Sequence, residues 1–202
     1  MNLDRTAFPQ QIRDVLEGRQ RYTLDDPTLT CAAVLMPLLF KEDDWHILVT
    51  QRTHVVEHHK GQISFPGGAC DPADAGRLDT ALRETFEEVG VPPAEVEVLG
   101  ALDDYRTITN FSVTPFVGVI PHPFVYRLNP HEVEAAIEVP LAFLREPTNL
   151  RVEQREHDGQ TVQVLFWDYG PVLNDGQPTV YPIWGATARM LKSLLDLVCP
   201  AR

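Results

Sequence analysis

Four charged side chains crowd one short stretch, Arg83-Glu84-Thr85-Phe86-Glu87-Glu88-Val89-Gly90. At about 100° per residue, Glu84, Glu87 and Glu88 fall on one side of a helix, at positions i, i+3 and i+4. Carboxylates so placed repel one another, costing about 0.2–0.5 kcal/mol per pair, and need a compensating charge. Hard oxygen ligands in such a cluster suit Mg²⁺ or Mn²⁺, above all when substrate phosphates complete the coordination. The same residues would also make an ordinary solvated acidic face, and the helix alone does not separate the two. The preceding loop, Gly61-Gln62-Ile63-Ser64-Phe65-Pro66-Gly67-Gly68, sets a Pro-Gly-Gly turn beside the acids. Glycine there lets the backbone approach a ligand or metal closely.

The elements that must position these residues follow from periodicity. Residues 78–89 are helical, with Leu82, Phe86 and Val89 as the expected core stripe and the three glutamates opposite, in solvent. The helix must stop at Gly90, because Pro92 and Pro93 forbid continuation. Residues 31–40 and 45–52 read as strands separated by the charged turn Lys41-Glu42-Asp43-Asp44, and 63–65 as a strand stub running into the glycine turn. Further strands are expected over 96–102, 111–120 and 161–168, and amphipathic helices over 8–18 and 184–198. Residues 132–145 read as mixed and partly helical. With no regular βαβ alternation, the expected fold class is α+β, or a mixed sheet between helices.

Loop and helix together resemble the Nudix hydrolase signature: Gly, five residues, Glu, seven residues, Arg-Glu, two residues, Glu-Glu, one residue, Gly. Here Gly68 is followed after five residues by Asp74, then by eight residues, then by Arg83-Glu84, Glu87-Glu88 and Gly90. Asp74 replaces the family's glutamate and one residue is inserted before the helix, while the segment 83–90 stays in register. The resemblance implies a Nudix-type mixed β-sheet sandwiched between α-helices. Residues 1–27 would be an N-terminal helical extension and 28–202 a single domain. It also implies a cation site made by Glu84, Glu87 and Glu88 with the Gly68 carbonyl, and an Arg83 that orients a glutamate. The general base would be Glu84 or a later acid. Of Glu132 and Glu134, Glu132 is the one expected to function and Glu134 to lie on a solvated loop. Arg83, Glu84, Glu87 and Glu132 are thus the expected catalytic residues.

A second stretch narrows the branch. Leu48-Val49-Thr50-Gln51-Arg52, through His59-Lys60-Gly61-Gln62, to Phe65-Pro66-Gly67-Gly68 is similar to the additional signature of coenzyme A pyrophosphatases. Val113-Thr114-Pro115 and Trp184-Gly185-Ala186-Thr187-Ala188 also resemble that branch. Thr53 stands where Ser or Ala is usual. Glu57 stands where a second Arg belongs, reversing a charge at a position expected to face an anion. His58, His59 and Lys60 are near enough to supply positive character instead. The resemblance implies Mg²⁺-dependent hydrolysis of coenzyme A or its thioesters to 3′,5′-ADP and 4′-phosphopantetheine derivatives. The substrate would be held by Arg52, His59, Lys60, Gly61 and Gln62. The alternatives are another nucleoside diphosphate derivative such as ADP-ribose, or a non-catalytic nucleotide sensor. Such sensors typically lose the helix carboxylates, and here all three are present.

Composition excludes more than it assigns. The chain carries 29 acidic against 17 basic residues, a net charge of −12, opposite in sign to a phosphate-backbone binder, so no nucleic-acid partner is expected. Its 202 residues, 44% hydrophobic, can bury a core and favour one domain. The longest apolar run, 31–40, is half a membrane span and contains Pro37, and the first residues lack the apolar stretch of a secretory signal. A cytoplasmic protein without a membrane partner is therefore expected. Cys31, Cys70 and Cys199 are odd in number, far apart and without a disulfide spacing, so each reads as a small buried hydrophobe. The sequence leaves open a monomer or a homodimer.

Overall fold

The apolar run at 31–40 becomes β1 (Thr30–Lys41), the middle strand of the main sheet. The structure is a computed structural model describing residues 4–53, 61–157, 159–170 and 179–199. Both faces of β1 are covered, which is why its sequence is continuously apolar rather than alternating. Ala32, Val34, Met36 and Leu38 enter one core, while Ala33, Leu35 and Leu39 enter clusters on the other face. The charged turn that follows places Glu42 and Asp43 at φ 52° and 60°, and the chain returns as β2 (Asp44–Arg52) with Lys41 opposite Asp44.

Around this hairpin the sheet follows the order β3 (Ile63–Ser64), β2, β1, β7 (Phe111–Val119), β5 (Glu97–Ala101). Off that path, β4 (Gly67–Ala69) folds back on β1, β6 (Tyr105–Arg106) pairs β7, and β8 (Val133–Pro140) pairs β2. Because β1 and β7 run parallel and the other pairs antiparallel, the sheet is mixed. A second sheet is made by β9 (Leu150–His157), β10 (Gln160–Tyr169) and β11 (Tyr181–Trp184), with β10 in the middle.

Helices cover both faces. On one, α1 (Ala7–Glu17) inserts Phe8, Ile12 and Leu16 into the same core as Leu191, Leu194 and Leu195 of α4 (Gly185–Val198). On the other, α2 (Arg77–Val89) sets Ala81 against Ala33 and Leu35. The short α3 (Leu141–Arg145) continues directly from β8, so the mixed stretch at 132–145 resolves into one strand and one helical turn. The expected α+β sandwich is present. No helix among the described residues is long and apolar enough to cross a membrane.

Two expectations are corrected. The buried stripe of α2 is Thr80, Ala81, Thr85, Glu88 and Val89, so Val89 is buried as expected but Leu82 and Phe86 are not in the stripe; Phe86 is 51% exposed and Glu88 only 2%. Small side chains let α2 lie close to β1, and that close approach, rather than hydrophobicity, sets the helix rotation. The second correction concerns the cysteines. Antiparallel pairing of β4 on β1 puts Ala69 opposite Ala32, so Cys70 and Cys31 meet one residue further on, with Cα atoms 5.4 Å apart, and form a disulfide. A separation of 39 residues hid this pair, because only the ladder register brings it together. Cys199 is a free cysteine, half-buried.

Candidate active site

The Pro-Gly-Gly turn becomes β4, wedged between β1 and α2. A side-chain carbon at Gly67 would fall 2.4 Å from the Ala33 carbonyl oxygen, and one at Gly68 would fall 2.5 Å from Glu84 Oε1. Only glycine fits at Gly67, where the clash is with main chain, and at Gly68 any side chain would displace the Glu84 carboxylate, so the bare main chain lies directly against it.

Arg83 links the loop to the helix. Its guanidinium donates to both carboxylate oxygens of Asp74, at 2.9 and 3.0 Å, and through Nη1 to Glu84 at 2.8 Å and Glu87 at 3.2 Å. Asp74 also accepts from the Thr80 hydroxyl and the Asp71 amide. The Arg83, Thr80 and Asp71 bonds hold its carboxyl well below the usual carboxylate range. The one-carbon-shorter acid at the signature position is therefore the anchor of Arg83. The signature position was the only sequence signal for that role.

Three carboxylates converge behind this anchor. Ligand oxygens of Glu84, Glu88 and Glu132 all lie within 4.8 Å of one another. Glu88 is buried, among the described residues its Oε2 has no hydrogen-bond partner, and Arg52 faces it with Nη1 3.8 Å from Oε1. Burial, then the charges of Glu84 and Glu132, push the Glu88 carboxyl up to about 8 against the pull of Arg52. Burial also raises Glu84, against Arg83. Glu87 lies outside this cluster, its side chain half-exposed on Arg83.

Glu132 comes from a loop bonded to the end of the same helix. Gly90 closes α2 in the left-handed conformation at φ 80°. The Arg127 and Asn129 amides then donate to the Val89 and Glu88 carbonyls, each at 3.0 Å, satisfying acceptors that a helix end leaves open. The Glu132 amide in turn donates to the Asn129 carbonyl at 3.0 Å. Glu134 is exposed. Of the expected substrate-binding residues, Gly61 and Gln62 pair with Arg52 through the main chain, with Gly61 N–H donating to the Arg52 carbonyl and Arg52 N–H to that of Gln62. His59 and Lys60, with Glu57 and His58, lie outside the described residues.

Comparison with known proteins bears on the family and the fold. The NUDIX domain family matches residues 29–164. The chain is 36% identical over 189 residues to "Uncharacterized Nudix hydrolase NudL" of Enterobacter sp. (strain 638), covering 92% of this chain and 86% of that one. The NudL protein of Escherichia coli (strain K12) gives the same identity and coverage. Among solved structures, a NUDIX hydrolase from Alicyclobacillus acidocaldarius superposes with a TM-score of 0.51 at 20% identity, over 85% of this chain and 92% of that one, a likeness of fold.

Proposed function

The chain belongs to the Nudix hydrolase family, enzymes that act on phosphorus anhydrides, and from that premise we propose that it is a divalent-cation-dependent pyrophosphatase of coenzyme A or its thioesters. Its products would be 3′,5′-ADP and 4′-phosphopantetheine derivatives. The observation that carries the reading is the convergence of Glu84, Glu88 and Glu132 around a buried, unpartnered carboxylate oxygen. An acidic protein acting on an anionic diphosphate needs its local field inverted. The donor set fits that need, since three hard carboxylates suit Mg²⁺ or Mn²⁺.

Glu84, Glu88 and Glu132 would hold the ion, with the Gly68 main chain beside Glu84 and Glu87 joining only by leaving Arg83. When bound, the ion supplies charge neutralisation on the diphosphate oxygens and a more acidic water. Arg83, fixed by Asp74, keeps Glu84 oriented and is too committed to bind substrate. Arg52, whose partner Glu88 would then be occupied, turns its guanidinium to the diphosphate. Glu132 accepts the proton of the attacking water, being the acid carried by a loop rather than the helix, and Glu84 is the alternative base.

The coenzyme A assignment is supported by the spacing that joins Arg52 to His59, Lys60, Gly61 and Gln62 and on to the glycine turn. Glu57, acidic at a signature arginine, favours a second reading in which the substrate lacks the 3′-phosphate. A panel of nucleoside diphosphate derivatives with Mg²⁺, products identified by mass, tests the reaction. Within it, coenzyme A should exceed dephospho-coenzyme A in kcat/KM by about tenfold, the effect of one charge-assisted contact. Preference for dephospho-coenzyme A or ADP-ribose, moved back towards coenzyme A by Glu57→Arg, would establish the second reading. Equal rates that Glu57→Arg leaves unchanged would remove the segment from substrate recognition altogether.

A further inference from the structure

The residue that follows β2 holds the loop acid independently of the loop's ties to α2. The Thr53 amide donates to the Glu132 carbonyl at 2.9 Å, and the Thr53 hydroxyl donates to the His131 carbonyl at 3.0 Å, with the side chain buried. Two successive carbonyls are thus gripped by one residue, while the Glu132 amide is tied through Asn129 to the last turn of α2. The grip falls where the strand pairing slips. Gln51 lies opposite Ala135 but Arg52 lies opposite Val133, so one residue of β8 bulges out. Continued past that bulge, the register brings Glu132 opposite Thr53, where an unbroken ladder would have brought Val133. A one-residue slip of this kind exchanges the side chains presented to each face, and therefore decides which residue meets Glu84 and Glu88.

We infer that Thr53 is a positioning residue, whose hydroxyl acts through the His131 carbonyl to fix the bulged register that aims Glu132 into the carboxylate cluster. The inference rests on the proposed reading of Glu84, Glu88 and Glu132 as the cation and catalytic site. Thr53→Val removes the hydroxyl and keeps the shape, Thr53→Ala removes both hydroxyl and methyl, and Thr53→Ser keeps the hydroxyl. Val and Ala should each lower kcat about five- to tenfold, the effect of one lost buried hydrogen bond, with KM little changed. They should weaken Mn²⁺ binding, read from the free-ion paramagnetic resonance signal, by a similar factor, and Ser should restore both. In a Glu132→Gln background Thr53→Val should cost nothing further, because it acts through Glu132. A Thr53→Val protein with normal kcat and Mn²⁺ binding, beside an impaired Glu132→Gln, overturns the inference. So does a Val loss that adds in full to that of Glu132→Gln. If Thr53 and Glu132 are coupled in Mn²⁺ binding but no nucleoside diphosphate is cleaved, the positioning stands and the hydrolase reading falls.

Discussion

Glu88 concentrates the cost of this site in one side chain. A buried carboxylate with an unpartnered oxygen and two acidic neighbours is unfavourable until a cation arrives. Glu88→Gln should therefore lower kcat at least about a thousandfold, by removing charge stabilisation worth several kcal/mol, while the melting temperature in EDTA holds or rises. A variant that unfolds without metal, or one that turns over at the normal rate, would sink the cation-site reading. The pH dependence has a definite sign. Burial raises the Glu88 carboxyl to about 8 in the folded protein, so between the unfolded value and about 8 the native state binds more protons than the unfolded chain. The contribution of Glu88 is full below the unfolded value and is lost as pH rises through about 8. In EDTA the protein should melt at a higher temperature at pH 6 than at pH 9, and Glu88→Gln should shrink that difference. Excess Mg²⁺ should do the same from the other direction, since the ion favours the ionised carboxylate and stabilises most at high pH. A pH profile identical in wild type and Glu88→Gln would contradict the assignment.

At the level of elements, β4 and α2 work as a pair, and Gly68 is where they touch. Gly68→Ala places a carbon against the Glu84 carboxylate, so Glu84 must leave its position or the strand must lift from β1. A misplacement of about 1 Å at such a site costs on the order of a hundredfold in rate, and that loss in kcat/KM is the expected result, with circular dichroism unchanged. Most of these elements were legible in advance: α1, α2 and α4, the β1–β2 hairpin and β7 follow from apolar periodicity and from Gly90 and the prolines. The rotation of α2 was not, because a periodicity count scores Phe86 above Thr80 and Thr85, whereas packing on Ala33 and Leu35 rewards small size. Strand β9 was missed for a related reason. Its sequence, Leu-Arg-Val-Glu-Gln-Arg-Glu-His, interrupts any apolar alternation with charge, and its pairing with β10 supplies the order that its own pattern lacks. The site divides in the same way. Arg83, Glu84 and Glu88 stand out by local spacing, while the approach of Glu132 to them depends on a strand register and a loop that no local window contains.

Over the whole molecule, the acidic site is assembled from segments far apart in sequence, and the strongest long-range tie among them is the bond between Cys31 and Cys70. It lies two residues beyond Gly68 and anchors the end of β4 to the start of β1. Closing a loop of this length removes unfolded-state freedom worth about 2–4 kcal/mol, so reduction should lower the melting temperature, and Cys70→Ser should reproduce the shift with no further effect of reductant. A protein whose melting point is indifferent to reductant would lack the bond in solution. The bond also makes 31–70 a covalent ring that includes nearly all of β1, all of β2 and the glycine turn. A protease that cuts the backbone once anywhere inside that ring leaves both pieces attached. On a gel run without reductant the nicked chain would keep the mass of the intact one, and with reductant it would part into two bands. The molecule can thus be broken once, close to its chemistry, and still remain one piece.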